Sequence, residues 1–370
     1  MLTGVWNLAG VSRQIRDGST TPCMEVAVMF ELVNETDAAA ALVPGWTLDG
    51  KARQVVVAKL TLQFDLQGRL SMTGQEEVVL ADEHYGDPVA TSLKHASEAA
   101  SFKQGAEYYL QGHACAPGGE QTSHQVVVSL EQNGLARTKQ LAVLGEHYWQ
   151  KGLMGHRRSA PQLFSRLPLR YELAFGGAHP EKGQREKRNP VGRGFNPSGW
   201  SLQDSRAPQI EYLGQAQLSP SRNTAVAGFA PLPSFWAPRQ GRYGELSRQP
   251  LDNHGCPWGK GAHPALHHCA PEDQWLTDSL TGGEQLQLQG FFAAADHPVR
   301  MTLPAWCPQV LLVRRGHRPE RIALSCDTLK IDTDQQTLSM IARAAVCPSV
   351  TGGLPAWLLL QACSAWPVAA

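Results

Sequence analysis

The sequence predicts a mainly β protein, with antiparallel, sandwich-like sheets, long ordered loops and few helices. Three observations lead there. Glycine (35) and proline (25) are frequent among the 370 residues, and both cut a chain into short elements joined by turns. Runs of β-branched and apolar residues recur between those turns. Helical periodicity is scarce, and only 87–100 (DPVATSLKHASEAA) offers a candidate.

In order along the chain, 24–33 is a β-branched and apolar run. Residues 54–64 alternate in part and stop at the turn Asp65-Leu66-Gln67-Gly68, after which 70–80 resumes as strand. The strand 108–114 ends at Pro117-Gly118-Gly119. Segments 125–130 and 139–144 flank Asn133-Gly134, a strong hairpin signal because both residues tolerate positive φ. Strand patterns return at 284–292, 299–303, 310–315, 321–325, 329–331 and 337–341. The chain thus divides into an N-terminal β region (1–160), a β region with long aromatic-rich loops at 176–275 (161–345), and a C-terminal tail (346–370). That tail carries no charged side chain from Thr351 onward, and Pro355 and Pro367 interrupt it, so it is expected to pack rather than span a bilayer.

Composition narrows the function. Lys+Arg and Asp+Glu balance at 33 each, which leaves no global field to draw nucleic acid or an anionic membrane. The basic run Lys182, Arg185, Lys187, Arg188 is diluted by Glu181 and Glu186 and has no interleaved aromatics, so it reads as a solvated loop. Eight cysteines are scattered without a CxxC pair, and the N-terminus lacks a basic region leading into a long apolar run. Both suggest free thiols in a reducing cytoplasm.

The loops at 176–275 hold Phe195, Trp200, Phe229, Phe235, Trp236, Trp258 and Trp275. Disordered segments are poor in aromatics, so this is expected to be ordered, irregular surface. Phe195, Trp200, Phe235, Trp236, Arg239 and Tyr243 are the candidate partner-binding residues, because Trp, Tyr and Arg concentrate binding energy. Two motifs punctuate the region. YELAFGG (171–177) reads as a strand stopping at two glycines, and NPVGRGF (189–195) combines two glycines with a proline. Glu172, Asn189 and Arg193 are the candidate loop anchors, with Arg193 or Arg170 expected to neutralise the Glu172 carboxylate.

Catalytic signals are weak: the sequence contains no GxSxG elbow, HExxH helix or phosphate-binding glycine loop. Cys256, His263, His267 and Cys269, with His268, form the densest set of metal-ligating side chains, a candidate structural zinc site of non-standard spacing.

The collinear peptides VVVAKLTLQFD (55–65), ADEHYGDP (81–88), LAVLGEHYW (141–149), FSRLPLRYELAFGG (164–177), NPVGRGF (189–195), AGFAPLPSFWAPRQGRYG (227–244) and DTLKIDTDQQTLSMIAR (327–343) resemble a bacterial family labelled as a domain of unknown function and associated with type VI secretion. The resemblance spans about residues 1 to 345. It implies a non-catalytic adaptor or chaperone that binds a toxic effector, often of the Rhs or PAAR-tipped kind, and helps load it onto the secreted spike, with no nucleic-acid or membrane partner and no obligatory cofactor. It also implies that His147, Ala342 and the segment 103–107 depart from the family pattern, so that any of them touching an effector would alter the cargo. A metal-dependent enzyme on a β scaffold and a structural spike-associated component are the alternative expectations.

Overall fold

The computed structural model describes residues 30–152, 155–178, 183–196, 202–215, 224–245, 256–295, 297–347 and 355–362. Trp200 and residues 24–29 of the first expected strand lie outside them. The described residues are rich in strands, and their longest helix, Ala237–Gln240, is a single turn.

The strands that build the core are, in order, β1 (Phe30–Asn34), β2 (Ala39–Trp46), β3 (Ala52–Phe64), β4 (Leu70–Met72), β5 (Ala106–Gln111), β6 (Ser123–Gln132), β7 (Leu135–Leu144) and β8 (Ile210–Tyr212). They continue with β9 (Trp275–Leu276), β10 (Gln285–Gln289), β11 (Val299–Thr302), β12 (Gln309–Arg314), β13 (Glu320–Ala323), β14 (Ser325–Asp332), β15 (Thr337–Val346) and β16 (Ala356–Gln361). A seven-stranded sheet runs β9-β5-β14-β15-β3-β2, with β4 paired to β3. A five-stranded sheet runs β8-β7-β6-β10-β11, and a four-stranded sheet runs β1-β16-β12-β13. Pairing is antiparallel except for β5 with β14 and β1 with β16.

One continuous core draws on all three sheets. It includes Val56, Leu60, Leu329 and Met340 from the first, Val128, Leu141, Leu286 and Met301 from the second, and Val310, Leu312, Leu358 and Leu360 from the third. Each such burial contributes about 1.5–3 kcal/mol. The five-stranded sheet alternates apolar-in, polar-out: Ser129 and Thr138 share a 2.8 Å bond on its outer face. Such alternation is expected where one face meets water.

Turns behave as their residues demand. Asn133 (φ 53°) and Gly134 (φ 76°) close the β6–β7 hairpin, with Gln132 opposite Leu135. Gly68 (φ 80°) lets the Asp65 turn pass so close to the chain that a Cβ there would lie 1.7 Å from the Arg300 carbonyl oxygen.

Three expectations are corrected. Residues 87–100 do not form a helix. The Asp87 carbonyl accepts the Ala90 and Thr91 amides in one turn, after which Ser92 and Glu98 are pulled to side chains elsewhere in the fold. The strand expected over 70–80 ends at Met72. Beyond it the Gln75 amide takes the place of a neighbouring strand, accepting the Thr61 N–H at 2.9 Å and donating to the Thr61 carbonyl at 3.1 Å. YELAFGG is not one strand but a 3-10 turn, Tyr171–Leu173, followed by the two-residue strand Phe175–Gly176.

Candidate functional site

The two glycine motifs interlock. Phe175–Gly176 pairs in parallel with Arg193–Gly194, a bridge too short to stand without further support. Asn189 supplies it. Fully buried, it donates from Nδ2 to the Tyr171 carbonyl (2.8 Å) and the Phe175 carbonyl (2.9 Å), and its own carbonyl accepts the Gly177 N–H (2.8 Å). The glycines are there because the backbones touch. A Cβ on Gly176 would sit 2.1 Å from the Asn189 oxygen, and one on Gly177 would sit 2.3 Å from the Gly192 oxygen. Gly177 also adopts φ 97°, which side chains oppose.

Arg193 locks the knot from the other side. Its Nε donates to the Glu172 carbonyl (2.9 Å) and Nη1 to Gln209 Oε1 (2.8 Å). The Glu172 carboxylate faces elsewhere, accepting the Ser92 N–H (2.8 Å) and Oγ–H (2.7 Å). Of the three expected anchors, Asn189 and Arg193 bridge the two glycine motifs, whereas Glu172 ties down the 87–95 segment. Arg170 instead lies over the Tyr85 ring, 3.5 Å from its centroid.

Beside the knot opens a groove of about 850 Å³, lined by the 183–187 loop, Pro190, Phe195, Phe235, Trp236, Ala237 and Gln240. Phe235 is 47% exposed and stacks on His84 at 6.0 Å. Trp236 is 1% exposed, edge-on to Tyr171 at 5.4 Å, and its Nε1 has no hydrogen-bond partner among the described residues. Arg185 and Lys187 are exposed on the loop, whereas Arg188 is held by Glu186 at 2.8 Å. Of the six expected partner-binding residues, Phe195, Phe235 and Trp236 thus converge. Arg239 is buried and donates to the Leu232 carbonyl (2.8 Å). Half-buried Tyr243 receives the Gly259 N–H at its carbonyl (2.9 Å).

The expected metal set is dispersed over different contacts. The Cys269 thiol donates to Glu107 (3.3 Å), and burial pushes its pKa up. His267 is wedged between Phe102 (5.0 Å) and Trp258 (5.1 Å), where burial holds its pKa down at about 3. His263 Nδ1 accepts the Ala265 N–H (3.1 Å). Half-buried Cys256 is the fourth. Among the described residues no three His, Cys, Asp or Glu side chains are grouped to hold a metal ion.

Sequence reasoning missed a buried charged face. One face of the seven-stranded sheet is apolar, and the other carries Lys59, Glu107, Lys330 and Arg343, all buried. Lys59 pairs with Glu76 (3.0 Å) and Glu98 (3.1 Å), Lys330 with Glu76 (3.2 Å), Arg343 with Asp327, and Lys103 with Glu107. The Glu107 carboxylate also accepts the Ala270 N–H (2.8 Å). Opposite charges hold its pKa well below the usual range against the pull of burial. Lys103 and Glu107 are thus interior groups. So are His147, 1% exposed, and Ala342, in the core.

A family model described as "Uncharacterized protein conserved in bacteria (DUF2169)" matches residues 49–343. The chain belongs to this family. The DUF2169 span contains the knot, the groove and the charged sheet face, while β1, β2 and β16 fall outside it and the match begins later than the sequence resemblance suggested. Neither a curated protein nor a solved structure matches the chain. Among the described residues no helix is long and apolar enough to cross a membrane.

Proposed function

We propose that this DUF2169 protein is a non-catalytic, cytoplasmic effector adaptor or chaperone of type VI secretion, which holds an apolar effector segment and passes the effector to the PAAR-tipped spike. The observation that carries the reading is the groove. Half-exposed Phe235 lines it together with Phe195 and the buried Trp236, and exposed Arg185 and Lys187 belong to the same lining. A concave apolar site with polar rims suits an anchor side chain from a protein ligand. The hydrogen bonds of the Asn189 knot fix the backbone beside the groove, and a site ordered before binding has a lower ordering cost. The preferred ligand is an extended segment with aromatic or aliphatic anchors and acidic flanks.

The test is co-expression with each toxin-like protein encoded next to it, followed by affinity pull-down and size-exclusion chromatography. The reading expects a stable complex and an effector that becomes insoluble when this protein is omitted. An effector that is soluble alone and forms no complex overturns it, as does co-purification with the spike in the absence of any effector.

A further inference from the structure

The four-stranded sheet has an outer face that nothing described covers. Register places its side chains in rows. Glu31, Trp357 and Val313 form one, and Val33, Leu359, Leu311 and Arg321 form the next. Glu35 and Gln361 continue the pattern, joined by a 2.9 Å bond, and Trp357 Nε1 donates to Glu31 at 3.0 Å. The opposite face holds Leu312, Leu358 and Leu360, which belong to the core. The outer face is therefore an apolar stripe of five side chains, with Trp357 41% and Val33 37% exposed. Solvated sheet faces normally alternate to polar residues, as the five-stranded sheet does.

Charge around the stripe is polarised. Exposed Glu31 and Glu35 lie on the β1 edge, and exposed Arg321 lies on β13 at the opposite edge, with Arg315 and Arg318 in the turn before it. An acidic edge and a basic edge flanking an apolar centre complement their own copy. A two-fold axis running parallel to the strands, between two such faces, lays β1 of one copy over β13 of the other. Arg321 of each copy then sits between Glu31 and Glu35 of the other, and the two Trp357 stripes meet in the middle. A two-fold axis across the strands would instead set acid against acid.

We infer that this face is a homodimer interface, formed by face-to-face packing of the four-stranded sheets of two copies with β1 over β13. Such isologous sheet packing is an ordinary route to two-fold dimers. Four strands about 4.8 Å apart and about six residues long give a footprint of about 19 by 20 Å. That is about 380 Å² a side, below the standard size of specific interfaces, so the dimer is a weak one held in register by its charged edges. The face lies outside the groove, and the inference does not depend on what the groove binds.

The experiment is sedimentation velocity on the full chain from about 1 to about 200 µM. A monomer–dimer transition in that range is expected. Arg321→Glu alone and Glu31→Lys/Glu35→Lys alone should each shift the midpoint at least about tenfold upward, and an equimolar mixture of the two variants should restore association as a heterodimer. A chain that stays monomeric throughout overturns the inference and leaves the face to another protein or to the chain's own residues 1–29. A dimer unmoved by either charge reversal, or two variants that fail to associate when mixed, overturns it equally.

Discussion

Lys59, fully buried on β3, holds its ammonium 3.1 Å from the carboxylate of Glu98, itself 2% exposed. Glu98 is in turn bound through its other oxygen to the Val79 N–H (2.8 Å) and through its carbonyl to Arg343 (3.0 Å). One residue of an irregular strap is thus fastened to two strands of the sheet beneath. A segment of about thirty residues with little secondary structure can lie over a sheet only if its backbone polar groups find partners. Buried charges supply those partners at fixed points.

Removing one member of that pair leaves the other as an uncompensated buried charge. Lys59→Met should cost about 3–5 kcal/mol in urea unfolding. The double variant Lys59→Met/Glu98→Gln should be less destabilised than the sum of the single changes, because no isolated charge remains. Additive losses would show that the two side chains do not act as a pair.

The knot makes an equally specific prediction. In Asn189→Asp the two donated bonds become contacts between a carboxylate and the Tyr171 and Phe175 carbonyls. A loss of at least about 3 kcal/mol is expected, measured as the shift in denaturant midpoint. Gly177→Ala should also destabilise, through its positive φ and the 2.3 Å approach to Gly192. If either variant unfolds like the parent chain, the Phe175–Gly176 bridge does not depend on Asn189 as described.

Acid should unfold this protein in two stages. His267 is held down at about 3 and His95 at about 4, in both cases first by burial. As pH falls through 6.5 the unfolded chain takes up protons at these sites and the folded chain does not. The stability they allow is therefore complete above pH 6.5 and is lost between there and about 3–4. Glu107, Glu76 and Glu186 also sit below their ordinary value, so their contribution is present above about 4.5 and fades as pH drops further. Unfolding free energy against pH should be level near neutrality and decline below 6.5. His267→Phe should reduce the slope between pH 6 and 4.5 by up to about 1.4 kcal/mol per pH unit. An unchanged slope would mean that His267 titrates normally.

The long strands were legible because alternation is a backbone property: Ala58, Leu60 and Leu62 must face one way on β3, and Leu338 and Met340 on β15. The Asn133-Gly134 hairpin was legible because both residues accept positive φ. The knot was half legible. Its glycines announced a tight path, but a parallel bridge between residues eighteen apart is non-local and leaves no periodic trace. The charged sheet face had a signal that went unread: single lysines, Lys59 and Lys330, at alternating positions inside apolar runs. Residues 87–100 misled because helical spacing is a weak constraint where Asp87, Ser92 and Glu98 have stronger partners elsewhere. The inward positions of Trp236 and Arg239 could not be judged either, since a side chain in a loop reads the same whether it faces partner or core.

That ambiguity separates the two aromatics of the groove experimentally. Phe235 is 47% exposed and its neighbour Trp236 is 1% exposed, so the pair should divide binding from stability. Phe235→Ser removes an exposed ring and should leave the denaturant midpoint almost unchanged, while weakening effector capture by about 30-fold if the ring is an anchor, the effect of about 2 kcal/mol at an interface hot spot. Trp236→Ala removes a ring packed on Tyr171 and should cost about 3–5 kcal/mol of folding stability whatever the protein binds. Measuring both variants by denaturation and by effector pull-down gives four results that must agree. Normal stability with lost capture in Phe235→Ser places the effector in the groove. Normal capture by that variant removes the groove from the binding surface, even if the adaptor role itself holds.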